Sequence, residues 1–521
     1  MPQNSGIAPG SVMRLFRRIP IETLVASGGG EHGHLKKILN VRDLIALGVG
    51  AIIGAGIFAT LGAAASGGGG SPPAGPAVII SIILTAIACG FCALCYAELA
   101  GLVPLAGSAY TYSYATLGEL PAWIIGWDLI IEYAVGNIAV AISWAAYFRQ
   151  LIAGFGVHIP AWLATDYRSA QLAATAVADS GLATLGPEMT IAYDAYQHHP
   201  VILGVPVICN LLAASITGLI TWLLVVGVKE SCRFNNFVVL LKLATLVFFI
   251  VVGAFHVNSA NWHPFFPGGF SGVWRGASLI FFAYIGFDAV STAAEECQDT
   301  ARDMPRGIIG SLVICAIFYV AAAAILTGMV PFGELVNVAD PLAAALSYVN
   351  QGWAAGILAF GAVAAMTAVL LCFQLGQPRI LMAMSRDGLL GPWFAKIHPK
   401  YRTPHVGTIL TGAFVAFFST VANIDIIIEL TNIGTLFAFV LVCAGILILR
   451  VREPNLPRKF RVPFAPVTPV LGIATCLFLM AGLPRTTWIR FGVWLAVGLV
   501  IYYIYGFRRS QIATRPASTP D

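Results

Sequence analysis

Long uncharged apolar runs, separated by short polar stretches, dominate the chain. No charged residue occurs from Leu44 to Ala97, from Pro200 to Val228, or from Pro341 to Pro378. About 20 apolar residues in a helix cross the ~30 Å hydrocarbon core of a bilayer. The pattern predicts twelve such helices, at 43–66, 75–101, 121–152, 202–227, 234–256, 274–296, 307–330, 353–382, 405–423, 426–449, 465–483 and 488–507. The first carries its own interruption. Gly48-Val-Gly-Ala-Ile-Ile-Gly-Ala-Gly-Ile-Phe58 holds four glycines in nine residues, each costing about 1 kcal/mol in a helix relative to alanine. Such a span is predicted to break at mid-depth, the alternative being close helix packing through small residues. Backbone freed by a break is tolerated at that depth only inside protein or along a cavity. Helix 6 has a matching interruption in Phe281-Phe-Ala-Tyr-Ile-Gly-Phe-Asp-Ala-Val-Ser291. Its Gly286 and Asp288 fall at mid-span. Interruptions at corresponding positions of two five-helix sets predict an inverted repeat with a binding site between its halves. The expected fold is therefore all-α and membrane-integral: a 5+5 inverted repeat with broken helices 1 and 6, plus two C-terminal helices.

Composition agrees. The chain is 58% hydrophobic and 10% charged over 521 residues, against roughly 25% charge in soluble domains. Twenty-three of the 29 Lys and Arg fall on one side of the predicted spans and five on the other, with Lys242 inside a helix. The positive-inside bias puts both termini in the cytoplasm and the chain in the plasma or inner membrane. The net charge of +5 follows from this topology and from anionic lipid, not from nucleic acid. The organisation expected is a cytoplasmic tail at 1–42, a first repeat at 43–256 with an external loop at 153–200, and a second repeat at 274–449. Helices 11 and 12 occupy 465–507, and a cytoplasmic tail 508–521. The external loop is a lid or a decoration, and its stretch Thr165 to Thr184 suits a short amphipathic helix. The polar, basic first 40 residues do not resemble a cleavable signal. The ten cysteines suggest no disulfide framework, and Cys89, Cys92 and Cys95 share a helix face without a histidine to make a metal set. No cluster of nucleophile, metal ligands or cofactor motif points to an enzyme.

Three motifs together resemble the amino acid/polyamine/organocation superfamily, and within it the bacterial form of the cationic amino acid transporter branch. They are the helix 1 run, the stretch Tyr96-Ala-Glu-Leu-Ala to Ala106-Gly-Ser-Ala-Tyr-Thr-Tyr-Ser-Tyr114, and the helix 6 run continuing through Glu296 and Asp299 to Pro305. Gln377-Pro-Arg-Ile and Ala383-Met-Ser-Arg-Asp-Gly-Leu389 resemble the same branch. The resemblance implies a secondary active permease that binds an amino acid between helices 1 and 6. A solute sensor built on the same fold is the competing class.

The residue chemistry supports this site. Half-helix N-termini bind anions, so the amides of Gly54, Ala55 and Gly56 should hold a carboxylate. Carbonyls of Ile52 and Ile53, with those near Phe282, Ala283 and Ile285, should meet the ammonium. Met366 and Phe373 share a face of helix 8 and are expected to wall the side-chain pocket, favouring a small neutral amino acid; a cationic substrate is the alternative. Lys242 lies two turns beyond Glu230-Ser-Cys-Arg-Phe-Asn-Asn236. The resemblance makes it a built-in replacement for the cation that bridges helices 1 and 8 in sodium-coupled members. It is then a candidate for proton coupling, unless it snorkels to the surface. Glu132 is a second coupling candidate or a structural hydrogen-bonding group. Glu98 and Asp288 are read as gating or structural. No cofactor is expected beyond the proton as coupling ion, with symport and exchange both open. The partners expected are the amino acid and the lipid bilayer; the assembly is a monomer or a dimer.

Overall fold

The computed structural model describes residues 39–510 apart from 68–70, 103–107, 181–186, 203, 228–231, 337, 339 and 459. Most of both predicted tails, Ala106 and Gly107, and Glu230 therefore lie outside the described residues.

Nine helices among the described residues are long and apolar enough to cross a membrane, the first at Val41–Ser66 and the last at Arg485–Arg509. Three shorter apolar helices, Leu211–Val226, His405–Val421 and Val467–Ala481, lie among them. In chain order the pieces used below are α1 (Val41–Ile52) and α2 (Leu61–Ser66), joined by a π turn at Gly56–Thr60. Then come α3 (Val78–Leu102), α4 (Ser108–Thr116), α5 (Glu119–Ile130) and α6 (Gly136–Ala153). The segment 153–200 contributes α7 (Tyr167–Ser180) and α8 (Pro187–Gln197). After them follow α9 (Leu211–Val226), α10 (Cys232–Ala254), α11 (Gly269–Ile280), α12 (Thr300–Met329) and α13 (Pro341–Tyr348). The remainder are α14 (Gly352–Arg386), α15 (His405–Val421), α16 (Ile424–Arg452), α17 (Val467–Ala481) and α18 (Arg485–Ile501).

The fourth predicted span starts later than hydrophobicity alone suggests. Residues 204–210 are not helical; Val201–Ile202 pairs antiparallel with Val205–Pro206, and α9 begins after Asn210, whose side chain accepts from the Ala213 amide at 3.1 Å. A run without charge cannot distinguish these extended residues from a helix, whereas the Asn cap marks the true start. Helix 6 also departs from a regular span over 274–296. Its α-helical part stops at Ile280, and short 3₁₀ segments follow at Phe281–Tyr284 and Asp288–Glu296. Within the stretch Thr165 to Thr184, Tyr167–Ser180 is helical as α7, and 181–184 lie outside the described residues. The anchor of α7 is Asp166, which accepts from the Ser169 amide at 2.9 Å and hydroxyl at 2.5 Å. Burial pushes that carboxyl above its ordinary range, against the pull of the Ser169 bonds. Ser169 in turn accepts from Asn423 at 3.2 Å, which docks α7 on the turn between α15 and α16.

Packing follows from small residues at crossings. α12 lies against α3 and α1, α14 against α6 and α10, and α16 against α17 and α3. A Cβ at Gly361 would overlap Thr245, so α10 and α14 approach closely one turn from Lys242.

Buried carboxylates tie several helix ends together. Glu98, expected to be gating or structural, accepts from Arg450 at 2.6 Å and from the Val462 amide at 2.6 Å. It also pairs with Arg458 at 3.1 Å. The end of α3 is thereby tied to the end of α16 and to the loop that follows. Glu119 does the same for the start of α5, accepting from Tyr502 at 2.9 Å and Ser510 at 2.6 Å. Removing one partner of a buried ion pair costs about 3–5 kcal/mol because the other charge is left unpaired. Glu98→Gln strands the Arg458 guanidinium, whose side chain is 4% exposed. The variant is expected to unfold several degrees below the parent in detergent, read by tryptophan fluorescence; an unchanged midpoint would remove Glu98 from the anchoring role.

Candidate functional site

The geometry of the site follows from a break in hydrogen bonding. α1 ends at Ile52, and Ile53 takes an extended conformation at φ −75° and ψ 103°. The last carbonyls of any helix lack intrahelical donors, and at mid-membrane depth water is not there to replace them. Each carbonyl therefore needs its own arrangement. Val49 accepts from the Ile53 amide at 3.0 Å. Gly50 accepts from Lys242 Nζ at 2.6 Å. Ile52 accepts from the Tyr319 hydroxyl at 3.1 Å. The chain then turns through Gly54 and Ala55 into the π turn, where the Thr60 hydroxyl bonds back to the Gly56 carbonyl and Tyr147 donates to Phe58 O at 2.6 Å.

Helix 6 breaks alongside. Asn432 on α16 donates to Ser278 O at 2.8 Å and Leu279 O at 3.2 Å, covering carbonyls at the end of α11. The 3₁₀ turn ends at Ile285, φ −60° and ψ 137°, and Gly286 follows at φ +112°. The same Tyr319 hydroxyl that serves Ile52 reaches Ala283 O at 2.9 Å. One side chain on α12 thus spans the carbonyl ends of both half-helices.

The two breaks also touch through glycine. A Cβ on Gly286 would lie 2.9 Å from the Ala51 oxygen and 3.0 Å from its carbonyl carbon. A Cβ on Gly56 would overlap Ala283. On the helix 8 side, a Cβ on Gly54 would sit 2.6 Å from Val369 Cγ2. Eight of the residues expected to bind, Ile52, Ile53, Gly54, Ala55, Gly56, Phe282, Ala283 and Ile285, are buried around this one junction.

Lys242 is fully buried, and its Nζ donates to the Gly50 carbonyl of α1. Cys315 of α12 and Cys372 of α14 are its thiol neighbours. The other acids form a separate group. Asp288 accepts from Tyr133 at 3.4 Å and neighbours Glu132, which in turn neighbours Thr435. Phe373 packs against Tyr133, ring centroids 5.4 Å apart and planes tilted by 58°, and lies 3.7 Å from where a Gly136 Cβ would be. It therefore sits one turn of α14 beyond Val369, which faces the helix 1 break. Met366 is fully buried on the same helix.

Sequence reasoning missed Tyr319, Asn432 and Val369. Tyr319 and Asn432 did leave a signal: each is a polar tip within a run of apolar residues, where a side-chain donor needs a partner. Val369 left none, since one valine among many does not announce what it faces.

This geometry has a family. The sequence profile described as amino acid permease matches residues 39–507. The chain belongs to the amino acid permease family. Among its relatives is the branched-chain amino acid permease of Bacillus subtilis, 44% identical over 498 residues, covering 96% of this chain and 99% of the relative. The methylthioribose transporter of the same organism is 42% identical over the same share of both chains. The vacuolar cationic amino acid transporter 4 of Arabidopsis thaliana is 35% identical over 85% of this chain and 68% of its own. The permease is thus a multi-pass membrane protein of the amino acid/polyamine/organocation superfamily, and its named relatives are permeases and transporters, not enzymes.

The Gly286 backbone is the most demanding point of the junction. A residue with a Cβ held in such a region costs about 1–3 kcal/mol, and here the Cβ also meets Ala51. Gly286→Ala is expected to lower the melting temperature in detergent and to abolish the stabilisation that an added amino acid substrate gives. A variant that melts and responds like the parent would show that the junction does not need this conformation.

Proposed function

We propose that this permease is a secondary active transporter that carries a neutral L-amino acid by alternating access, driven by protons. The reading takes the twelve apolar helices as spans, the two five-helix sets as an inverted repeat, and both termini as cytoplasmic in the plasma or inner membrane. Support for the substrate comes from the junction itself. Helix 1 resumes at Gly54–Gly56, where amides at a half-helix start suit a carboxylate. Across from them lie the Ile52 and Ala283 carbonyls, acceptors suited to an ammonium. The observation that carries the proposal is the meeting of both helix breaks at Tyr319, a hydroxyl 3.1 Å from one terminal carbonyl and 2.9 Å from the other.

Substrate size is argued from the apolar walls. Val369 faces the helix 1 break and Phe373 packs on Tyr133, so α14 turns apolar side chains toward the junction. A small neutral amino acid fits that reading. A branched-chain substrate is the second one, favoured by the names of two relatives, at 44% and 34% identity. Val369→Ala opens the wall against Gly54 without touching the backbone donors and acceptors. It should shift competition in proteoliposomes toward larger side chains while alanine binding holds. An unchanged inhibitor profile in a folded variant would remove Val369 from the pocket.

Coupling is assigned to Lys242, with Glu132 as a second group on the path and exchange as the rival mode. A charged ammonium holds the Gly50 carbonyl and so fixes the inner half of helix 1. Loss of its proton weakens that tie and favours the other access state. Lys242→Met retains apolar volume and removes the charge. The variant should still bind amino acid, shown by thermal stabilisation, but should lose uptake driven by an inward pH gradient in proteoliposomes. Accumulation at the parent level would reduce Lys242 to a structural cation. A protein that binds but shows neither uptake nor counterflow in any variant would be a sensor.

A further inference from the structure

Half of the chain's ten cysteines converge at one place that the transport reading leaves unused. Cys89, Cys92 and Cys95 lie along one face of α3; Cys443 comes from α16 and Cys476 from α17. All five are buried. The Cys92 and Cys476 sulfurs are 3.4 Å apart, and Cys443 stands 3.9 Å from Cys92. Cys95 neighbours Cys443, and Cys89 neighbours Cys476. α17 reaches this depth because Gly472 leaves room: a Cβ there would lie 2.8 Å from the Cys443 sulfur. Among the described residues no group of three or more His, Cys, Asp or Glu has a metal-holding arrangement. Thiol pairing is the chemistry the knot offers.

We propose that Cys92 and Cys476 are a redox-modification site: a lipid-soluble two-electron acceptor, such as a quinone or an azodicarboxamide, joins them into a disulfide that slows transport. Two S–H bonds break, one S–S bond forms, and two protons and two electrons pass to the acceptor. A disulfide holds its sulfurs ~2.05 Å apart, so the pair must close by about 1.4 Å, a movement within side-chain rotation and slight helix shift. Burial among membrane helices keeps charged aqueous thiols and oxidants away and admits only an apolar reagent. Cys443, 3.9 Å from Cys92, can exchange into the bond and move it to a Cys92–Cys443 pair, whereas return of both thiols needs two electrons from an external dithiol.

The bond acts on helix 6 through an aromatic bridge. Phe439, one turn before Cys443, packs on Phe281 at 5.8 Å, on Phe287 at 5.0 Å and on Tyr96 at 5.4 Å between ring centroids. Tyr96 itself follows Cys92 by one turn and meets Phe287 at 5.9 Å. The thiol knot therefore backs the rings that flank the helix 6 break on both sides of Gly286. Fixing α3 to α17 behind those rings holds the support still while the junction must rearrange. This consequence rests on the transport reading; the site does not.

The test uses the full chain in proteoliposomes treated with diamide, with and without later dithiothreitol. Peptide mass spectrometry should find a Cys92–Cys476 link, and initial amino acid uptake should fall several-fold and recover on reduction. Cys476→Ala and Cys92→Ala should each transport normally and lose the response, whereas Cys209→Ala should keep it. A link absent from treated protein, or an oxidation effect that persists in Cys476→Ala, overturns the site. A link that forms while uptake is unchanged overturns its role in transport. Untreated protein that moves no amino acid would instead overturn the transport reading and leave the mass-spectrometric result standing.

Discussion

Unsatisfied backbone in an apolar setting is the constraint on which this structure turns. Helix 1 stops at Ile52 in mid-span, and its last carbonyls cannot turn to water. An unpaired polar group at that depth costs several kcal/mol, so a break survives only where neighbours bring donors to it. They come from different helices: Lys242 from α10 to Gly50, Tyr319 from α12 to Ile52, and Asn432 from α16 to the carbonyls of the broken helix 6. Each donor fixes its own helix against the break. The arrangement of α10, α12 and α16 around the junction is in this sense dictated by the accounting of carbonyls.

Glycine completes what the donors begin. Two irregular backbones must lie against each other before shared donors can reach both, and Gly56 on Ala283 and Gly286 on Ala51 are where they do. Only Gly286 also needs a positive φ. The others serve close approach alone. The cluster of glycines in helix 1 therefore has two separate physical causes, interruption and contact. Gly48 belongs wholly to the second: it stands where a Cβ would overlap Ser311 on α12, so the packing alternative weighed from the sequence describes that position correctly.

Much of the fold was legible because membrane spans are written in length and charge. The break in helix 1 could be located to within a residue or two, since four glycines at mid-depth have few other uses. The depth of Lys242 could be read from its distance to the polar start of its helix. What the sequence withheld were relations between helices. The thiol knot needs α3, α16 and α17 together, and the three cysteines on α3 say nothing of the two that join them. Phe373 was placed by helical periodicity on the same face as Met366, yet its neighbour is Tyr133 and the acid group beyond, because α6 crosses α14 at that level. The late start of α9 was hidden for a local reason: the short paired strands at 201–206 are as apolar as the helix after them, and periodicity cannot separate short apolar runs.

The donors at the junction differ in kind, and the difference matters for what the site can do. Tyr319 carries one hydroxyl proton and faces two carbonyl oxygens, so it can serve only one of them fully at a time. A buried acceptor left half-served is unstable in an apolar setting. An ammonium, with three N–H donors, supplies the missing donor where an alkyl group cannot. Lys242 presents the other case, an ammonium already bound to a terminal carbonyl of the same helix 1. The junction thus holds the Lys242 nitrogen on the Gly50 carbonyl and, two residues further along helix 1, an incompletely filled pair of acceptors at Ile52 and Ala283. A mechanism that links proton to amino acid needs no longer path than the two peptide units between Gly50 and Ile52.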